Sequence, residues 1–285
     1  MRDTGKKMRI NRILVALDAS IHSLAGLDAG VALATKLEAD ILGVYVEDIN
    51  LLRLAEMPFA KELGQYSARP RKLDTGQLER QLRIHADRAR LALIEAAESA
   101  GLNWSFRVVR GSVPAELIGA MQETDLIIIG QRGWSNFVQV GSTTQTIMDQ
   151  ARKLTLILRA GTKLGQSVLA VFDGSPAAEE ALSFAGALAQ ERDGKLIVLL
   201  IAADGEIAQN LRTEVGTWGR RNALSITFHW LKDLNARMVC NIAQTEASGV
   251  LIVAKDSPGL SEETLHAILI DIKCPVLVVR HPESP

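Results

Sequence analysis

The chain predicts an α/β protein of two tandem units, each a doubly wound parallel sheet flanked by helices. Three observations point there. Short strands rich in β-branched residues alternate with helical segments along the whole chain. Their apolar runs lack a clean two-residue alternation, which marks parallel strands buried on both faces. The pattern also occurs twice: RILVALDASIHSLAGLDAGVALA starts at Arg12 and SVLAVFDGSPAAEEALSFAGALA at Ser167.

Each copy opens with a strand that runs into Asp-x-Ser and then an alanine-rich helix, so Asp18 pairs with Asp173 and Ser20 with Ser175. The second strands are ADILGVYVED (39–48) and KLIVLLIAAD (195–204). Only the first copy then carries an extra segment, Ile49 to Gly76, containing Pro58, Gly64 and Pro70. A partly ordered loop with a helix extension is expected there, with a lid over a ligand site as the alternative. Helix 77–100 follows, with Leu78, Leu82, His85, Ala89, Ala92 and Ile94 near one face and Gly101 as its stop. The third strands are NWSFRVVRG (103–111) and LSITFHWLK (224–232), and the fourth are DLIIIG (125–130) and GVLIVA (249–254). The fifth are TLILRA (155–160) and CPVLVVRH (274–281). The junction falls at GTKLG, dividing the chain into units 1–162 and 163–285. The fifth strands are expected to pair edge to edge about a pseudo-twofold axis, which protects edges that would otherwise be exposed.

Composition narrows the function classes. Of 285 residues 47% are hydrophobic and 23% charged, ordinary for a soluble globular chain. A net charge of −1 supplies no basic field for nucleic acid. Cys240 and Cys274 fit no CxxC or zinc spacing, so a reducing, cytoplasmic setting is expected. No apolar run approaches the roughly 18 residues of a membrane span. The basic opening MRDTGKKMRINR precedes ILVAL, an apolar stretch too short for a signal sequence.

In doubly wound sheets ligands collect beyond the C-terminal strand ends, where strand order reverses. Asp18, Val46 and Gly130, near the ends of strands one, two and four, therefore share a crevice. Asp18 is placed to accept hydrogen bonds from a ribose or to cap the following helix, and the two roles are compatible. The stretch GQRGWSNFVQVGSTT (130–144) joins strand four to the next helix. Gly130 and Gly133 permit close backbone approach, Arg132 supplies a fixed positive charge, and Gly141, Ser142 and Thr143 open a helix whose N–H groups and dipole favour an anion. Taken alone, this is also what any strand–loop–helix connection uses. No GxxxxGK[ST], GxGxxG, HExxH or GxSxG motif occurs. His22, His85, His229, His266 and His281 form no triad-like cluster; His22 is expected on the surface of helix one, and His85 lacks a second metal ligand at the right spacing.

VALDAS, RGSVPAELI (110–118), DLIIIGQRG and GSTT together resemble the universal stress protein family, and the doubled unit resembles its tandem form. The resemblance covers nearly the whole chain. It implies Rossmann-like, adenine nucleotide alpha hydrolase-like domains and a stress-response role. The family's nucleotide-binding members carry G-x2-G-x9-G-[ST] before the last helix. Carried over, Gly130, Gly133, Gly141 and Ser142 would hold phosphates, Asp18 would meet the ribose, and Ala16 and Val46 would line the adenine pocket. The spacing here is G-x2-G-x7-G-S, two residues and up to about 7 Å shorter. Such a loop cannot follow the same path around a triphosphate, whereas AMP or ADP is the shorter alternative. Trp134 and Phe137 make it more apolar than a phosphate cradle needs and are read as packing against the other half or a dimer partner. The implied cofactors are ATP, ADP or AMP with Mg, none covalently bound.

In the second half, Lys255, Asp256 and Ser257 stand opposite Gln131, Arg132 and Gly133, while Glu262 and Glu263 stand opposite Gly141 and Ser142. Carboxylates at a helix N-terminus stabilise it and repel phosphate, so the second copy is expected to be silent, with Asp173 as a cap. Three functions compete. The first is a regulatory protein that binds adenine nucleotide in its first half, acting as an intramolecular pseudo-dimer or a homodimer. The second is an interaction protein with both sites degenerate, contacting a protein partner through the crevice or the 49–76 segment. The third is a slow nucleotide hydrolase, for which no positioned base is visible. Nucleic acid and membrane partners are not expected.

Overall fold

The computed structural model describes residues 10–57, 61–63, 70–72, 74–131, 141–162, 164–165, 167–190 and 195–280. The first half runs β1 (Arg12–Ala16), α1 (Ile21–Leu37), β2 (Asp40–Asp48), α2 (Ile49–Glu56), β3 (Lys61–Leu63), β4 (Pro70–Lys72) and α3 (Thr75–Ser99). It continues through β5 (Trp104–Gly111), α4 (Val113–Met121), β6 (Leu126–Gly130), α5 (Ser142–Gln150) and β7 (Leu154–Leu158). The second half repeats the scheme as β8 (Val168–Phe172), α6 (Pro176–Gln190), β9 (Lys195–Ile201), α7 (Gly205–Arg221) and β10 (Ser225–Leu231). It closes with α8 (Ala236–Thr245), β11 (Val250–Ala254), α9 (Glu262–Asp271) and β12 (Val276–Val279).

The expected strands merge into one ten-stranded sheet of order β10-β9-β8-β11-β12-β7-β6-β1-β2-β5. Neighbours are parallel except at the centre, where β12 meets β7 antiparallel with Val276 opposite Ile157, Leu277 opposite Leu156 and Val278 opposite Thr155. The fifth strands thus join the halves as their apolar edges predict. Helices cover both faces, which is why strands such as LIIIG and VLAVF are apolar at nearly every position. Leu27, Leu33, Ala89, Leu93, Ala181 and Val215, from α1, α3, α6 and α7, pack on one face. Leu117, Met121, Ile147, Val239, Leu265 and Ile268, from α4, α5, α8 and α9, pack on the other. At the junction Gly165 donates to the Gly249 carbonyl at 3.2 Å. A Cβ on Gly249 would lie 2.2 Å from the Gly165 Cα, so only glycine allows this crossing.

Three expectations about elements change. The extra segment, expected as a partly ordered loop with a helix extension, also holds the helix α2 and, beyond it, an antiparallel pair, β3 against β4; residues 58–60, 64–69 and 73 lie outside the described residues. In α3 the sheet-facing line is Leu82, Ala86, Ala89, Leu93 and Ala97, while His85, Ala92 and Ile94 are only half-buried. The contact is made by small residues because α3 lies close to the sheet, and alanines carry little hydropathy signal. His22 is buried rather than superficial, and its Nδ1 accepts the Ala160 N–H at 2.9 Å. It thereby ties α1 to the end of β7.

Candidate functional site

In the first half the strand order reverses between β6 and β1, the two strands that leave β1 in opposite directions across the sheet being β2 and β6. The crevice beyond this pair is the switch point where doubly wound sheets take ligands. Ala16 ends β1 and Gly130 ends β6, while Val46 lies on β2 two residues before its end. Ala16 and Val46 are half-buried against the same apolar cluster, joined by Val109 and Val113. The residues expected to line a base therefore share one face of the sheet edge.

Asp18 lies two residues beyond β1. The helix N-cap is Ser20, whose hydroxyl accepts from the Ser23 N–H at 3.2 Å. Asp18 instead orders the turn before the cap: its Oδ1 accepts the Ser20 N–H at 2.9 Å, and its own N–H donates to the Ser23 hydroxyl at 3.3 Å. Ala19, between them, is held at φ 59°. That left-handed conformation costs an alanine about 1–2 kcal/mol, and such strain gathers at ligand sites and switches. The second copy uses Gly174 at φ 82° in the same turn, where glycine is unstrained.

The Asp18 charge reaches two side chains. Burial, then the charges of Asp18 and Glu47, push the Tyr45 phenol up to about 12 and keep it protonated. Burial and the Arg88 charge hold His85 below the usual imidazole range, with Asp18 acting in the opposite sense. His85 thus lies within reach of the Asp18 charge, which helix periodicity alone gives no reason to suspect.

The far side of the crevice is α5. Its N-cap is Gly141, at φ −60° and ψ 143°, with no side-chain capping bond and no acidic residue in the first turn. The Gly141 N–H donates to the Gln131 carbonyl at 3.0 Å, and the Thr144 hydroxyl to the Gly130 carbonyl at 3.0 Å, which draws both ends of the connecting loop together. The N–H groups of Ser142, Thr143 and Thr144 have no acceptor within the helix. Ser142 is exposed and Thr143 half-exposed, so an anion can reach them with the helix dipole in its favour. Arg132 and Gly133, with Trp134 and Phe137, lie outside the described residues, and with them the shortened loop.

The second copy is built differently at the same places. The Asp173 Oδ1 accepts the Ser175 N–H at 2.9 Å, and its Oδ2 takes the hydroxyl of Ser257. Burial acts to raise the Asp173 carboxyl, but hydrogen bonds from Ser175, Ser257 and the Gly259 backbone outweigh it and hold it below the ordinary value. The segment after β11 thus folds across the switch point. At the start of α9 the Ser261 hydroxyl accepts the Thr264 N–H at 3.1 Å, and Glu262 and Glu263 occupy the first turn. Among the described residues one helix N-terminus has no side-chain cap, and the other is capped by its own residues.

Contacts across the pseudo-twofold lie outside what local sequence displays. Gln131 donates its side-chain amide to the Leu269 carbonyl near the end of α9. Lys255, at the matching position, donates to the Met148 carbonyl near the end of α5 at 2.5 Å. Arg280 donates to the carbonyls of Met148 and Asp149 at 2.6 and 2.7 Å. The alignment that sets Lys255 opposite Gln131 carries the signal, but its meaning depends on how the halves pair.

A parallel α/β unit duplicated about an antiparallel strand pair, with a crevice at the switch point of its first copy, defines a tandem protein of the doubly wound class. The model of the universal stress protein family matches residues 9–159, more than half of the chain, and the chain belongs to that family. No curated protein matches it. A universal stress protein from Archaeoglobus fulgidus DSM 4304 is 17% identical, with 96% of this chain and 97% of that one covered and a TM-score of 0.77. A putative universal stress protein from Pseudomonas aeruginosa UCBPP-PA14 is 14% identical over 97% and 95%, with a TM-score of 0.64. At these identities the likeness is one of fold, and it extends over both halves. A universal stress protein solved in complex with cAMP matches 54% of this chain and 99% of its own at 18% identity, with a TM-score of 0.34, so its ligand is not carried over. No helix among the described residues is long and apolar enough to cross a membrane, and no group of three or more His, Cys, Asp or Glu among them could hold a metal.

Proposed function

We propose that this universal stress protein is a stress-response regulator whose first domain, 1–162, binds an adenine nucleotide, while its second, 163–285, does not. The observation that carries the reading is the contrast between α5 and α9: the first has an N-terminus without a side-chain cap or carboxylate, the second has both. The phosphates would meet the N–H groups and hydroxyls of Ser142 and Thr143, beside Gly130 and Gly141, with Arg132 and Gly133 in the loop between. The ribose would meet Asp18, and the base would lie on Ala16 and Val46. The short loop favours AMP or ADP over ATP, with Mg needed only as far as the phosphate chain demands it. Cytoplasmic residence fits the two free cysteines.

Calorimetric titration of the whole protein with ATP, ADP and AMP, with and without Mg, tests this. One site per chain is expected; no heat with any of the three overturns the reading. A second reading, an interaction protein, draws on α2 in the extra segment, where Leu51, Leu54 and Met57 are 45%, 47% and 43% exposed at helical spacing. It would be favoured by a silent titration together with a partner captured by the whole protein and lost in Leu51→Ser/Leu54→Ser.

A further inference from the structure

We infer that Lys255 and Arg280 of the second half are positioning residues for the nucleotide site of the first, acting through α5. This rests on the proposed nucleotide reading and explains what a second copy with a closed crevice contributes to it.

The N–H groups and hydroxyls of Ser142 and Thr143, which would meet the phosphates, sit on the first turn of α5, a helix of nine residues. A helix that short is marginal by itself and is held by its surroundings. Its N-terminus has no side-chain cap, and its last turn contains no basic residue of its own. The missing positive charge at the C-terminal end comes instead from across the pseudo-twofold. The Lys255 ammonium meets the Met148 carbonyl and lies 3.1 Å from the Asp149 carboxylate. The Arg280 guanidinium meets the Met148 and Asp149 carbonyls. Lys255 follows β11 and Arg280 follows β12, so both heads are carried on the ends of sheet strands, the most rigid mounting the fold offers. The Lys255 side chain is only 11% exposed, which fixes its head against the helix rather than in solvent.

The reciprocal contact is weaker in kind. The end of α9 receives the neutral amide of Gln131, and α9 is already capped by Ser261 and its two glutamates. Among the described residues the uncapped helix is thus clamped at its far end by two cations and the self-capped helix by none at its far end, Lys255 lying 3.8 Å from Glu262 at the start of α9. Positive charge at the C-terminus satisfies the terminal carbonyls and opposes the negative pole of the dipole. It keeps α5 wound, and its first-turn N–H groups aligned, without placing any group where the anion must go.

Each cation at a helix C-terminus shifts the helix equilibrium roughly two- to fivefold, so removing both is expected to speed amide exchange in 142–150 by about tenfold. Apparent affinity falls with the binding-competent fraction of α5. For a helix formed nine times in ten that is roughly a twofold loss, rising toward tenfold for a marginal one. The test uses the whole protein and the variant Lys255→Ala/Arg280→Ala, read by hydrogen exchange without ligand and by titration with AMP, ADP and ATP. Lys255→Arg/Arg280→Lys should restore both readouts. His229→Ala, which breaks the 2.8 Å pair with Glu246 elsewhere in the second half, should lower thermal stability and move neither. If the double variant does not fold, Lys255→Met, which keeps the stem and removes the charge, carries the same expectation at about half the exchange effect. Exchange in α5 at the wild-type rate overturns the inference, as does an affinity unmoved while only the melting temperature falls. If the wild type binds no nucleotide, the functional reading fails, while the exchange arm still decides whether the clamp exists.

Discussion

Replacing Gly141 by Glu copies into the first half the carboxylate that Glu262 supplies in the second. Gly141 has φ −60°, which any residue adopts, so the backbone need not move. A carboxylate at the start of a helix favours the dipole by about 0.3–1 kcal/mol, and loss of a glycine restricts the unfolded chain by a further 0.4–1 kcal/mol or so. The variant should therefore be as stable as the wild type or slightly more so. Binding should respond in the opposite direction. Unit charges about 4 Å apart repel by roughly 4 kcal/mol at an effective dielectric near 20. Gly141 is half-exposed, and screening that halves the repulsion leaves about 2 kcal/mol. With about 1.4 kcal/mol per factor of ten, affinity should fall between about thirtyfold and a thousandfold. Titration calorimetry and chemical denaturation of the same preparation separate the two effects. Unchanged affinity in a folded variant would refute the placement of phosphate at the start of α5.

Further outcomes follow from other contacts. Gly249→Ala would force a Cβ to within 2.2 Å of Gly165; a cost of about 1–3 kcal/mol is expected in urea unfolding, the range of overpacked sites. His22→Leu leaves the Ala160 N–H without the acceptor it has now, and should cost about 1–3 kcal/mol by the same measurement. Asp173 titrates below its ordinary value in the folded protein, so its stabilisation is present above its unfolded pKa, about 3.9, and is lost as pH falls through the native one. The stability advantage of the wild type over Asp173→Asn should accordingly be full at neutral pH and shrink below about pH 4, while nucleotide binding at neutral pH is the same in both.

Much of the fold was legible because it is written in repeated local patterns. The apolar strands, the paired Asp-x-Ser turns and the edge-to-edge meeting of TLIL and VLVV need only periodicity and the knowledge that both faces of a parallel sheet are buried. The covered line on α3 was not, since Ala86, Ala89 and Ala97 face the sheet while Ile84 and Leu91 are 49% and 65% exposed. Hydropathy weights the large residues, whereas close helix–sheet packing selects the small ones. The pairing of β3 with β4 follows a three-residue register in a charged, proline-containing segment, too short for any alternating signal.

At the candidate site the contrast between Gly141-Ser142 and Glu262-Glu263 is visible in the letters alone. The partners that close the second crevice are not: Ser257 reaches Asp173 across 84 residues of chain. Nor is the burial of His22, whose partner lies 138 residues away. Such contacts depend on the completed sheet. Asp18 illustrates the middle ground. Its place at a strand end could be read directly, but that Ser20 caps the helix, leaving Asp18 to order the preceding turn, is decided only by the folded geometry of the turn.

The central claim is that one of two homologous crevices binds an adenine nucleotide. A crystal structure of the whole protein grown with AMP or ADP tests it most directly. One nucleotide per chain is expected, its phosphate at the N–H groups of Ser142 and Thr143, its ribose at Asp18, and nothing at Asp173. Nucleotide bound at Asp173, or at both crevices alike, would contradict it.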